Sequence, residues 1–163
     1  MMDNETIRPP AAAPAPPNVE LLGAPTALER LKADVRQSYT IHCWTYLLER
    51  TFFDEVFSDF LKRGRLYMIT DHRMRYVAAG LQDTHERFTA RSWSYNRTMH
   101  EKTFVFPDLN AVTLGSHNLT RGSYTLSNNR TARVQSTQLT KALCDAWHAD
   151  WTRAKPMPRL KSW

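Results

Sequence analysis

His100-Glu-Lys102 is followed, thirteen residues after the lysine, by Gly115-Ser-His-Asn118, and the reading of this stretch decides the fold. On a strand, period-2 alternation puts His100 and Lys102 on one face and turns Glu101 away. Thr103-Phe-Val-Phe106 and Ala111-Val-Thr-Leu114 are short β-rich runs, and the turn-like Pro107-Asp-Leu-Asn110 separates them. The resulting hairpin returns Ser116 and Asn118, again two residues apart, to the His/Lys pair. Imidazole, ammonium, hydroxyl and carboxamide then converge on one point, a combination suited to a phosphate. His117 faces away by the same parity.

The pattern His-x-Lys, a downstream Asp and Gly-Ser-x-Asn resembles the phospholipase D superfamily, and within it the small bacterial nucleases with one such motif per chain. The resemblance runs from about Pro25 to Trp151. It takes in an opening helix (Ala27 to Arg36), a strand (Tyr39 to Trp44), a helix (Phe52 to Arg63), a strand (Leu66 to Thr70), the motif hairpin and a closing helix (Leu139 to Arg153). It implies an α/β fold with a mixed, largely parallel sheet flanked by helices on both faces. A single domain over residues 20–155 is expected, after a Pro/Ala-rich tail (1–19) and before a basic tail (156–163). Two departures from the family pattern stand out. Five residues, Thr103 to Pro107, separate Lys102 from Asp108 where relatives have four, which suits an Asp that caps a turn. Asn129 stands where relatives tend to carry a Glu that orients the histidine.

The chemistry explains the residue types. A phosphodiester's negative charge repels nucleophiles, and Lys102 and Asn118 offset it in a pre-organised site, with Ser116 in support. A neutral imidazole attacks phosphorus to give a covalent phosphohistidine. A second imidazole, whose pKa lies near neutrality, protonates the leaving oxygen and later activates water. No metal or cofactor is called for. The chain has one His-x-Lys and no internal repeat, so the resemblance implies a homodimer with a composite site: one His100 attacks and the partner subunit's His100 acts as acid. His42, His72, His85, His117 and His148 are the in-chain alternatives for that acid.

Composition fits this reading. A chain of 163 residues makes one domain with a real core. Cys43 and Cys144 read as buried small hydrophobes rather than a disulfide framework. No Cys/His cluster suggests zinc, and no apolar run approaches the roughly 20 residues that cross a bilayer. Met1 to Asn18, with Pro9 to Pro17 alternating Pro and Ala, reads as an extended tail rather than a signal peptide, so a cytoplasmic setting is expected.

Charge is uneven. Residues 1–120 hold 14 Lys/Arg and 14 Asp/Glu, whereas 121–163 hold 8 Lys/Arg and 2 acids and so carry the whole +6. Arg121 directly after the motif, Arg130, Arg133, Arg153, Lys155, Arg159 and Lys161 suggest a surface for a polyanion, with Lys62 to Arg65, Arg73, Arg75, Arg91 and Arg97 as extensions. Phe52, Phe53, Phe57 and Phe60 form a core helix face, and Leu139, Leu143, Trp147 and Trp151 a second stripe. Trp93 and Tyr95 are placed to stack on bases of a single strand, with packing as the alternative.

The reading that follows is a metal-independent phosphodiesterase acting on DNA or RNA, with His100, Lys102 and Asn118 catalytic and Ser116, Arg121 and Trp93 touching substrate. Asp108 and Asn129 support them. The alternatives are a catalytically weak or inactive nucleic-acid-binding module of the same fold, or a lipid or small-molecule phosphodiesterase. DNA and RNA, single and double strands, and sequence preference are not distinguished, because phosphate contacts carry no sequence information.

Overall fold

A computed structural model describes residues 16–93 and 98–158. The Pro/Ala run up to residue 15, Tyr95, Arg97, Arg159 and Lys161 lie outside the described residues. The elements in chain order are β1 (Asn18–Gly23), α1 (Thr26–Gln37), β2 (Thr40–Thr45), α2 (Arg50–Phe57), β3 (Arg65–Thr70), α3 (Arg75–Thr84) and β4 (Phe88–Ser92). β5 (Thr103–Phe106), β6 (Ala111–Gly115), α4 (Arg121–Thr125), β7 (Arg130–Gln135), α5 (Thr137–Arg153) and β8 (Lys155–Pro156) follow. One sheet has the order β1-β7-β6-β5-β2-β3-β4-β8. It therefore begins and ends slightly beyond the expected domain, at Asn18 and Pro156.

The sheet is mixed, but the expectation that it is largely parallel needs correction. β2 with β3 and β3 with β4 are parallel, while β1–β7, β7–β6, β6–β5, β5–β2 and β4–β8 are antiparallel. The cause is the motif hairpin. A tight β5–β6 connection forces antiparallel pairing, and β7 and then β1 add to that side antiparallel as well. Pro107–Leu109 forms a 3-10 turn, and Asn110 closes it at φ 49°, a left-handed conformation that Asn tolerates well.

Both faces of the sheet are covered, which is why β2 at its centre is buried from Ile41 to Thr45. On one face Ile41, Cys43, Leu66, Met68, Phe104 and Phe106 meet the apolar stripes of α1 and α2 and the Ala78–Leu81 segment of α3. The aromatic face of α2 is as the spacing predicts, with Phe52, Phe53 and Phe57 fully buried, but the expected helix to Arg63 stops at Phe57 and the nearly buried Phe60 opens a separate 3-10 turn, Phe60–Lys62. On the other face Trp44, Ile69, Val105 and Val112 pack under α5 through Trp147, with Leu139, Leu143 and Trp151 half-buried beside it. Ser136 caps α5 by accepting from the Leu139 N–H at 3.2 Å. Cys43 and Cys144 are free thiols. Among the described residues no helix is long and apolar enough to cross a membrane.

His42 sits under α5, stacked on Trp147 with ring centroids 4.3 Å apart and only 8 % exposed. Burial, and then the nearby His148, push its imidazole down to about 4. The unfolded chain binds this proton near the ordinary value of about 6.5, and the folded chain binds it only near 4. Stability must therefore fall as pH drops through that window and level off below it. Urea midpoints taken between about pH 7 and 4 are expected to show a decline that His42→Phe reduces, by on the order of 1 kcal/mol. Equal slopes in the two proteins would sink the assignment.

Candidate active site

β2, β3, β4 and β6 all run in one direction and β5 runs against them. The carboxyl ends of four strands and the amino end of β5 therefore share one edge of the molecule. Open α/β sheets collect functional groups at such an edge. Tyr46 follows β2, Asp71 follows β3, Trp93 follows β4, His100 to Lys102 lead into β5, and Ser116 to Asn118 leave β6. The motif triplet is thus not itself inside a strand. The Gly115 N–H nevertheless donates to the Lys102 carbonyl at 3.2 Å, so the ladder extends to it and keeps the two motif segments side by side.

Tyr46 is the hub. The exposed His100 imidazole stacks on its ring with centroids 4.3 Å apart and planes 19° from parallel. The Lys102 ammonium lies 5.2 Å from the same ring centroid and donates to the His100 carbonyl. Partial burial pulls the Lys102 pKa down, which leaves an ammonium poor in water and receptive to an anion. Asn118 reaches this cluster from the other side: its Oδ1 accepts from the N–H of Leu47, the residue after Tyr46, at 3.3 Å. That contact belongs to a short parallel bridge in which the Leu119 N–H donates to Leu47 O and the Glu49 N–H to Leu119 O. Among the described residues Asn118 Nδ2 makes no hydrogen bond, so an N–H pair remains for a ligand.

The remaining candidates separate clearly. Ser116 Oγ accepts from the Arg130 N–H at 3.1 Å and donates to the Arg130 carbonyl at 3.3 Å, so its hydroxyl holds β6 to β7. Gly115 serves the same junction by letting the two strands approach closely. A Cβ there would lie 2.6 Å from Arg130 O and 2.5 Å from Thr131 Oγ1, too close for any side chain. Arg121 is exposed, with its guanidinium paired to Glu55 of α2 and its N–H bonded to Glu49 Oε2 at 3.0 Å. A substrate phosphate would have to compete with that carboxylate. Trp93 lines a cavity of about 220 Å³ with Trp44, Met99, His100, Glu101 and Asp150. Asp108 sits at the far end of β5 from His100, where its Oδ2 accepts from the Tyr39 and Thr40 N–H groups at 2.9 Å each. It secures the start of β2. Asn129 lies at the entry to β7, where its N–H donates to Ser127 Oγ and its carbonyl accepts from Arg130.

Of the five in-chain histidines, His42 is under α5 and His85 bonds Asp54 at 2.9 Å. His148 bonds the Cys144 carbonyl. His117 is buried against Tyr124, with Nδ1 2.7 Å from Thr131 Oγ1, and faces away from the motif pair as parity predicts. His72 is near the site: its Nδ1 is 3.5 Å from Asp71 Oδ1.

Sequence reasoning missed Tyr46 and Asp71. Each is the first residue after a parallel strand, and that position was the available signal. The Asp71 carboxylate is 1 % exposed. Burial pushes its pKa up, but hydrogen bonds from the Arg73 side chain, the Arg73 N–H and the Met99 N–H outweigh this and hold it below the usual carboxylate range. Its Oδ2 accepts from Met99, the residue before His100, at 3.1 Å, and so fixes where the motif segment starts. Asp71→Asn places an N–H against one of these donors. Turnover at the site is expected to fall on the order of 10²-fold, since small misplacements of a reacting group carry that cost. Wild-type rates in a folded Asp71→Asn protein would remove Asp71 from this role. Among the described residues no group of three or more His, Cys, Asp or Glu is placed to hold a metal ion.

Comparison with known proteins agrees with this fold. Residues 33–151 match the family described as cardiolipin synthase, PLD-like domain. Among solved structures, NucT from Helicobacter pylori superposes with a TM-score of 0.74 at 14 % identity, over 86 % of this chain and 99 % of that one. Nuc from Salmonella typhimurium, a phospholipase D family member, gives 0.70 at 17 % identity over 86 % and 98 %. A phosphatidylserine synthase from Haemophilus influenzae gives 0.68 at 14 %, over 90 % of this chain and 41 % of that one. No curated protein matches the sequence. With the family matched over most of its length and the motif side chains gathered at one sheet edge, the chain belongs to the phospholipase D-like family.

Proposed function

We propose that this protein is a nuclease that cleaves DNA or RNA without a metal ion, through a phosphohistidine formed in a site shared by two subunits. The observation that carries the proposal is the convergence on Tyr46–Leu47: His100 and Lys102 on the tyrosine ring, and Asn118 on the next backbone N–H. The family acts on phosphodiesters. The structural likeness to NucT and Nuc extends over nearly the whole of those chains, which favours nucleic acid over the lipid reading.

In this reading Lys102 and Asn118 Nδ2 bind the non-bridging oxygens and stabilise the charge that builds on them. A ring nitrogen of His100 attacks phosphorus, a P–N bond forms, and the P–O bond to the leaving nucleotide breaks. The leaving oxygen takes a proton from the imidazolium of the second copy's His100. That imidazole, now neutral, removes a proton from water, whose oxygen attacks phosphorus, releases the first His100 and returns both groups to their starting states. Each chain has one exposed imidazole in its motif, so two copies complete the cycle through a two-fold axis.

The test is cleavage of labelled single- and double-stranded DNA and RNA in excess EDTA, with wild type beside His100→Ala. Cutting that survives EDTA and vanishes in the variant is expected. Salt-sensitive binding with no cutting would instead favour a binding module of the same fold. Turnover of lipid phosphodiesters alone would favour the lipid reading.

A further inference from the structure

The geometry points to Arg73 as a second phosphate subsite, next to the reacting one, that engages a neighbouring phosphate of a single nucleic-acid strand. The inference rests on the nuclease reading above and deepens it by naming the substrate as a polyanion with at least two adjacent phosphates.

Arg73 is held as a pre-organised surface cation. Its Nε donates to the buried Asp71 Oδ1 at 2.8 Å and its backbone N–H donates to the same oxygen at 3.0 Å. Its guanidinium carbon lies 4.8 Å from the Tyr46 ring centroid. The side chain is nonetheless 47 % exposed. Asp71 grips the inner edge of the guanidinium, and the outer nitrogens, beside the Tyr46 hydroxyl, present the forked pair of donors that suits phosphate. Immobilisation matters because a flexible arginine would lose side-chain entropy on binding, and this one has already lost it in folding.

Position assigns the ligand. The His100 ring stacks on the same tyrosine at 4.3 Å, so the Arg73 guanidinium carbon cannot lie more than about 9 Å from the His100 ring centroid. That ceiling is of the order of the spacing between neighbouring phosphates along a strand, so a chain whose reacting phosphate sits at His100 brings its next phosphate within reach of Arg73. The other depression that touches His100 carries Glu101 and Asp150 between Trp44 and Trp93. Two carboxylates exclude a phosphate there, so a strand crossing His100 is steered toward Arg73, and the walls of that depression are left for an uncharged group. A single phosphodiester, such as a lipid headgroup, would have no use for Arg73.

The experiment compares wild type with Arg73→Gln on two substrates in EDTA: a short single-stranded oligonucleotide and bis(p-nitrophenyl) phosphate, which has one phosphodiester. The loss of kcat/KM on the oligonucleotide is expected to exceed the loss on the small ester by about tenfold, as one charged contact removed implies. The salt dependence of oligonucleotide binding, measured on the non-cleaving His100→Ala background, should become shallower by about 0.7, the value for one single-strand phosphate contact. Equal losses on both substrates would move Arg73 into the reacting-phosphate site and overturn the subsite. An unchanged salt slope would overturn it as well, even in a protein that cleaves neither substrate. Absence of wild-type cleavage would instead count against the nuclease reading alone, because the slope is a binding measurement.

Discussion

His100→Ala is expected to lower phosphodiester cleavage by on the order of 10⁴- to 10⁶-fold, the scale on which a covalent nucleophile is missed. The loss should fall on kcat, because Lys102 and Asn118, which hold the phosphate in the proposed mechanism, are unchanged. Stability should barely change: the imidazole is exposed and its stack on Tyr46 is a surface contact. Two further measurements separate a nucleophile from a merely supportive histidine. Alkaline quenching of wild type with an end-labelled substrate should leave label on the protein through a P–N bond that acid removes, and the variant should carry none. Random mixing of equal amounts of wild-type and variant subunits should leave about a quarter of the wild-type rate, because only dimers with both imidazoles complete the cycle. Half the rate would mean that each chain holds its own acid, and His72, 3.5 Å from Asp71, would then be the first residue to replace.

The hairpin that carries this chemistry was readable because its information is local. Alternating β-rich runs, a Pro-Asp-Leu-Asn turn and two pairs of polar residues two apart define a register without reference to the rest of the chain, and β5 and β6 follow it. The Phe52–Phe57 and Leu139–Trp151 stripes were legible for the same reason: each is one helix's own pattern. α3 was not assigned, since its buried face is Ala78-Ala-Gly-Leu81, small residues with little apolar contrast. The roles of Tyr46, Asp71 and Arg73 depend on β2 and β3 ending at the same edge as the motif, which is a property of strand order. The parallel bias assumed for the sheet failed because parallel pairing is confined to β2, β3 and β4, while the β5–β6 hairpin and the strands added beyond it pair antiparallel.

Charge was the least legible layer, since a count of arginines does not say which way they face. Arg91 donates to the Trp151 carbonyl at 2.8 Å and ends α5, and Arg63 caps the carbonyls at the end of α1. Arg133, expected on a basic surface, is 3 % exposed. It makes a two-pronged pair with Asp34 of α1, Nε to Oδ2 at 2.8 Å and a terminal nitrogen to Oδ1 at 3.0 Å, and a longer contact to Glu20 at 3.4 Å. The pair clamps β7 and β1 onto α1, and so supports from behind the strand to which Ser116 and Gly115 are held.

Arg133→Met is expected to cost about 3 to 5 kcal/mol, because it strands the Asp34 carboxylate in a site that is 1 % exposed, with Arg30, 3.5 Å away, the remaining cation among the described residues to answer it. The desolvation already incurred by both ions makes the double change informative. Arg133→Met with Asp34→Leu removes both charges and fills the space with apolar atoms, so it should recover most of the loss. Urea denaturation of the two single variants and the double variant gives the coupling directly. If the single change costs under about 1 kcal/mol, as a solvated surface arginine would, then Arg133 belongs to the substrate face after all. A folded double variant should still bind nucleic acid with the wild-type salt slope, since neither charge faces the solvent from which a phosphate approaches.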